Sequence, residues 1–221
     1  MMDLLANIVF CTCALIAFIY ASIHYLRPRQ ALYKKMLACA MGCIFLERLY
    51  ELVQILIAGD VPEGFNVGMI GVVGFYLFIF SAHYGAIDRL IDNKSKELKK
   101  YRIIALAGPA FMIMAAVLVV IKDVPLSGKI CVCAEEASMG LAIYYNIKHM
   151  IIPEEYADMF ISLRPYNACI ILLAVAMTIE NVVWYAQING AVMVVASMLL
   201  QSILILMSIP LLESGIRRWQ I

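Results

Sequence analysis

The sequence predicts an all-α integral membrane protein of seven transmembrane helices, with the N-terminus outside and the C-terminus cytoplasmic. Three observations predict it. Of 221 residues, 64% are apolar and only 15% are charged, against about 45–50% and about 25% in a soluble domain. Seven stretches approach the roughly 20 apolar residues that a spanning helix needs. The basic residues fall almost wholly on one side of those stretches. A mean hydropathy of +0.90 excludes a secreted domain, a cytosolic enzyme and a nucleic-acid binder, and makes the lipid bilayer the first partner.

The spans are Leu4–Tyr25, Met36–Ala58, Asn66–Ile87, Ile103–Ile121, Lys129–His149, Tyr166–Gln187 and Ala191–Leu212, one transmembrane domain over residues 1–221. Only Asp3 precedes the first span. Without a basic n-region, and too long for an h-region, it reads as a retained helix and not a signal peptide. The fifth span carries Glu135 and Glu136, while Pro109 and Pro210 are the prolines placed to kink spans four and seven. Counting Lys and Arg between spans puts 14 on one side, among them Arg27, Lys35, Lys96 and Arg217, and only Lys122 and Lys129 on the other. The positive-inside rule then sets the orientation, in a plasma (cytoplasmic) membrane. Trp184 and Tyr185 suit the outer aromatic belt and Trp219 the inner one.

Among the connections, Tyr156, Met159, Phe160 and Leu163 recur at helical spacing beside Glu154, Glu155 and Asp158. They predict a short amphipathic helix over about 154–163 on the inner leaflet. Asp92–Lys100 is a basic loop suited to anionic headgroups. All seven cysteines fall within spans, where cysteine packs as a small apolar residue.

Polar residues also carry an internal repeat. Cys11-Thr-Cys13-Ala14 and Tyr20-x-x-Ile23-His24 in helix 1 answer Cys131-Val-Cys133-Ala134 and Tyr144-x-x-Ile147-Lys148-His149 in helix 5. Glu47 and Gln54 in helix 2 answer Glu180 and Gln187 in helix 6, and Leu26-Arg27-Pro28 answers Leu163-Arg164-Pro165. Three-helix units at 1–3 and 5–7, joined by helix 4, predict a 3+1+3 parallel repeat about an axis along the membrane normal. In architecture this plan resembles small seven-helix proteins with outside N-termini, such as sugar transporters of the SWEET type, vitamin transporters and microbial rhodopsins. Helices 1 and 5 lack the Pro-Gln signature of the first class. Ala191–Leu212 has no lysine for a retinal Schiff base. No cofactor is implied.

Glu47, Arg48, Glu51, Glu135, Glu136 and Glu180 lie within spans. Buried ionisable groups face a bundle interior or a water cavity, because lipid cannot solvate them. At 1.5 Å per residue all six reach one zone between the midplane and the outer mouth. Cys43, Glu47, Glu51 and Gln54 share a face of helix 2; Glu180, Trp184 and Gln187 share one of helix 6, beside Asn181. Ser197 and Gln201 extend the zone onto helix 7. One arginine leaves the acids in excess, so protons or a bound cation must supply the missing charge.

His24, His83 and His149 end helices 1, 3 and 5. Three histidines at one depth are a conceivable zinc set for a lipid hydrolase, with Asp88 or Glu154 as base. No HxxxH or HExxH spacing places two of them on one helix face, and interfacial anchoring is the simpler role. The expected function is a transporter for a small polar or cationic solute, proton-coupled, with the acidic zone as its site. The alternative is a seven-helix sensor that binds a ligand in the same pocket and signals to a separate cytoplasmic partner. Nucleic acid is not an expected partner, and the chain is not expected to be an enzyme.

Overall fold

The computed structural model describes residues 2–59, 64–88, 96–153, 158–185 and 190–217. Among them there are seven helices and no strand. They are α1 (Met2–Tyr25), α2 (Leu32–Ala58), α3 (Met69–Ala82), α4 in two segments (Lys99–Ala105 and Ala107–Val120), α5 (Leu126–Ile151), α6 (Asp158–Tyr185) and α7 (Ala191–Arg217). Four helical stretches, Leu4–Tyr25, Lys99–Val120, Ile161–Tyr185 and Ala191–Ile216, are long and apolar enough to cross a membrane. Helix α3 is apolar but shorter. The charged residues of the second and fifth spans lie inside α2 and α5.

Local chemistry explains the helix ends. Gly59 closes α2 in the left-handed conformation (φ 84°), and its N–H donates to the Ile55 carbonyl at 3.0 Å. The break in α4 at Leu106 precedes Pro109, whose ring crowds the carbonyl four residues back, that of Ala105. The fourth span, where Pro109 is placed to kink the helix, is thus two segments. Helix α3 ends in a widened π turn, His83–Asp88, a distortion that often marks functional positions. Helix α6 runs unbroken from Asp158 through Pro165. The described part of the expected amphipathic helix, 158–163, thus forms the first turns of α6, and Glu154, Glu155 and Tyr156 lie outside the described residues.

Six helices close into a ring in the order α1, α2, α3, α5, α6, α7 and back to α1, and α4 packs outside it against α5 and α6. The ring interior holds Phe10, Met41, Ile44, Phe75, Tyr76, Ile79, Met139 and Ile170, all fully or almost fully buried. Large apolar side chains also cover the outside, including Ile57 (81% exposed), Val192 (75%) and Leu126 (74%). Such a surface fits a membrane protein, where lipid tails remove the cost of exposing it. Tyr185 departs from the expected outer belt: it is buried, with its hydroxyl 3.7 Å from the Met69 sulfur. Trp184 is 40% exposed, and Trp219 lies outside the described residues.

Helix α3 approaches α2 closely because Gly71 has no side chain. A Cβ there would stand 2.5 Å from Glu47 Cβ and 2.6 Å from the Cys43 carbonyl oxygen. Gly71→Ala is expected to cost about 1–3 kcal/mol through this overlap. A Cβ at Gly85 meets nothing within 4 Å, so Gly85→Ala serves as the control. Thermal melts of both variants in detergent check the difference; equal midpoints would contradict the close packing.

Candidate functional site: a buried acid network

The network is centred on Arg48, which is buried with only 4% of its side chain exposed. Its Nε lies 2.9 Å from Glu47 Oε2, an ion pair without hydrogen-bond alignment. Its Nη1 donates to Glu51 Oε2 at 2.6 Å and to Glu180 Oε1 at 3.4 Å. The guanidinium plane sits 4.2 Å from the centroid of the Phe10 ring of α1, a desolvated cation–π contact. One cation thus joins two acids of α2 to one of α6 across the ring.

The network extends on both sides of Glu180. Gln201 of α7 donates to Glu180 Oε2 at 2.5 Å and to Ser197 Oγ at 3.1 Å. Ser197 itself donates to the Ala176 carbonyl at 2.7 Å. Asn181 of α6 donates to Glu135 Oε2 at 2.8 Å and to Glu136 Oε1 at 3.3 Å. Thr178, one turn earlier on α6, donates to Glu136 Oε2 at 2.9 Å. Glu47, Glu135 and Glu136 are almost fully buried, and Glu51 and Glu180 are the least buried acids, at 18% and 13% side-chain exposure.

Of the residues expected in this zone, Glu47, Arg48, Glu51, Glu180 and Gln201 form one contact set and Asn181, Glu135 and Glu136 a second, the two joined by the succession of Glu180 and Asn181 in α6. Gln54 does not join them in any contact seen; its amide donates to the Tyr50 hydroxyl at 2.7 Å. Gln187 lies outside the described residues. Phe10 and Thr178 were not legible as site residues. An apolar ring becomes a cation partner only through packing, and a lone threonine in a span has many roles.

Five carboxylates against one guanidinium leave four charges to neutralise if every acid ionises. Unpaired charge in an apolar interior costs several kcal/mol per group. The network therefore takes up protons or a cation, and exchange between the two is the chemistry it can perform.

The histidines behave differently from the expected trio. His83 and His149 meet, Nδ1 to Nδ1 at 3.1 Å. His149 Nε2 lies 3.1 Å from Asp88 Oδ1, and Lys148 donates to the same oxygen at 2.5 Å. His24 stands apart on α1, exposed and stacked on Tyr20 at 4.2 Å. Among the described residues no group of three or more His, Cys, Asp or Glu is placed to hold a metal ion. The three-histidine zinc set is thus not assembled, because His24 belongs to a different face of the ring.

Burial works to raise the Asp88 pKa, but the hydrogen bonds and charges of His149 and Lys148 outweigh it and hold the carboxyl below its ordinary value.

No protein-family model, no curated protein and no solved structure gives a significant match to this chain.

Two outcomes follow from this geometry. Arg48→Met strands buried carboxylates and is expected to destabilise the fold by about 3–5 kcal/mol. Adding Glu47→Gln and Glu51→Gln is expected to restore part of that loss, a coupling that thermal melts of the variants measure. For Asp88, a depressed folded pKa means stability that is complete above the unfolded value of about 3.9 and lost as pH falls through the lower folded value. Asp88→Asn should therefore melt lower than the wild type at neutral pH and lose less on acidification. Parallel melting curves against pH for the two chains would refute the ion pair's role.

Proposed function

We propose that this chain is a seven-helix membrane transporter for a small polar or cationic solute, coupled to protons. The proposed topology places the N-terminus outside and the C-terminus in the cytoplasm of a plasma membrane. The observation that carries the reading is the contact of Arg48 with Glu180, which ties the acids of α2 to α6 across the ring, where the next residue, Asn181, holds the acids of α5.

The ring order supports the 3+1+3 plan. Exchanging α1 with α5, α2 with α6 and α3 with α7 returns the same cyclic order, with α4 left outside as a linker. Under that exchange Glu47 and Glu180 are counterparts, and Arg48 touches both. A site shared by two such halves is opened to either side when one half rocks on the other.

Within the site, Glu51 and Glu180 are the first acids that a solute meets, since they retain the most exposure. The amide oxygen of the buried Gln201 has no hydrogen-bond partner among the described residues, and it offers an acceptor to an ammonium or hydroxyl group. Arriving cationic solute displaces protons from the acids, and departing solute lets them return. That exchange couples the two fluxes. The charge needed to keep the network near neutrality stays constant throughout.

The test is flux in proteoliposomes that hold a pH indicator and face a panel of small organic cations and neutral polyols. Wild-type chain should move a cation against an imposed proton gradient. Glu47→Gln and Glu180→Gln should each slow that flux roughly ten- to hundredfold, the loss of one buried charged contact with Arg48 in each case. A solute that binds with no flux under any gradient would replace transport with the sensor reading.

A further inference from the structure

The two halves meet along two seams, α1 against α7 and α3 against α5. Each seam carries a polar cluster at the end where α1, α3, α5 and α7 finish. On the first, Tyr20 of α1 donates to both carboxylate oxygens of Glu213 on α7, at 3.1 and 3.2 Å, and Tyr25 donates to Glu213 Oε1 at 3.1 Å. Lys34 lies 5.8 Å from the Tyr25 ring centroid. On the second, Asp88 at the end of α3 takes Lys148 and His149 of α5, and His83 meets His149. The ring of Tyr166, near the start of α6, lies 6.1 Å from that of His83.

These clusters are distant from the acid network. Asn181 reaches Glu135, while His149 stands 14 residues later on α5, about 21 Å at 1.5 Å per residue. Gln201 and Glu213 are 12 residues apart on α7, about 18 Å. The interval holds buried apolar side chains, among them Ala17, Ala21, Ile79, Ala142, Ile143 and Ile170, together with the buried polar Asn146, Asn167 and Ser208. At the acid network Glu51 and Glu180 keep 18% and 13% side-chain exposure; at the other end Tyr25, His83 and His149 are buried, while Tyr20 is exposed and Asp88 keeps 14%.

Interior apolar packing alone does not select one end. Polar contacts do, because each is made only when two specific helix ends touch. Helices α1, α2 and α5 of the ring contain no proline, whereas α7 carries Pro210 three residues before Glu213 and α3 ends in the π turn that holds His83 and Asp88. Opening at this end, by bending there or by parting the seams, breaks the terminal clusters, because they are the polar contacts that join the helix ends.

We propose that the Tyr20/Tyr25–Glu213 and His83/His149–Lys148–Asp88 clusters are the paired latches of a gate at the end opposite the acid network. Both must release before solute leaves that way. The inference rests on the transport reading and assigns it a closed end.

Cys169 reports on the gate. It lies one turn beyond Tyr166 on α6, is 4% exposed, and donates to the Leu204 carbonyl at 3.2 Å. Cys131, 7% exposed, sits near the start of α5 in the separate cluster with Met69 and Tyr185. The experiment uses the full chain with these as its only two cysteines and a membrane-impermeant cationic thiosulfonate as probe. The variant Tyr20→Phe, Tyr25→Phe, Asp88→Asn keeps side-chain shape and removes the latch groups. Its Cys169 labelling from the latch side should rise at least about tenfold, with Cys131 labelling within about twofold of the parent. An unchanged Cys169 rate overturns the proposal, and so does a matched rise at both cysteines, which marks general loosening. Flux assayed in the same vesicles separates the two claims. Flux with an unresponsive Cys169 removes the gate alone; no flux from the parent chain removes the transport reading.

Discussion

The rest of the structure depends on a charge imbalance enclosed in apolar packing. A ring of helices with a lipid-like outside has few places for a carboxylate, and this one gathers three around a single guanidinium and holds two more on Asn181 and Thr178 beside them. Each of the buried carboxylates needs a partner or a proton. That need explains the positions of Asn181, Thr178, Gln201 and Phe10, which satisfy or face the charged groups from three helices. It also explains Gly71, whose missing side chain lets α3 seal the backbone beside Glu47.

Two kinds of polar contact divide the molecule by height. The acid network crosses the ring interior, from α2 to α6. The terminal clusters instead run along the seams, from α1 to α7 and from α3 to α5. An interior crossing senses what occupies the axis, while a seam contact senses whether neighbouring helices touch. Between the two lie buried apolar side chains together with the buried polar Asn146, Asn167 and Ser208.

Several sequence patterns carried over into three dimensions with little change. Helical spacing put Glu47 and Glu51 on one face of α2, and Arg48 reaches both because its long side chain can turn across that face. Helix α6 places Glu180 and Asn181 in succession, so that Glu180 accepts from Arg48 and Gln201 while Asn181 donates to Glu135 and Glu136. Other patterns misled for identifiable reasons. Equal depth at three helix ends suggested a histidine trio, but depth says nothing of which side of a ring a residue occupies, and His24 faces outward. Tyr185 was read by its position near an interface, whereas packing turned it inward against Met69.

What the sequence determined by itself is the solvent each surface requires. Composition, span length and the distribution of Lys and Arg follow from transfer energies summed residue by residue, and no neighbour is needed to evaluate them. It likewise determined that the acids outnumber the bases within the spans. Only the tertiary structure decided which acids share Arg48, that α4 stands outside the ring, and that Glu213 and Asp88 join helices more than fifty residues apart. Those outcomes depend on the order in which helices close around the axis. Side-chain partners across an interior are chosen by that order, which residue-by-residue transfer energies do not encode.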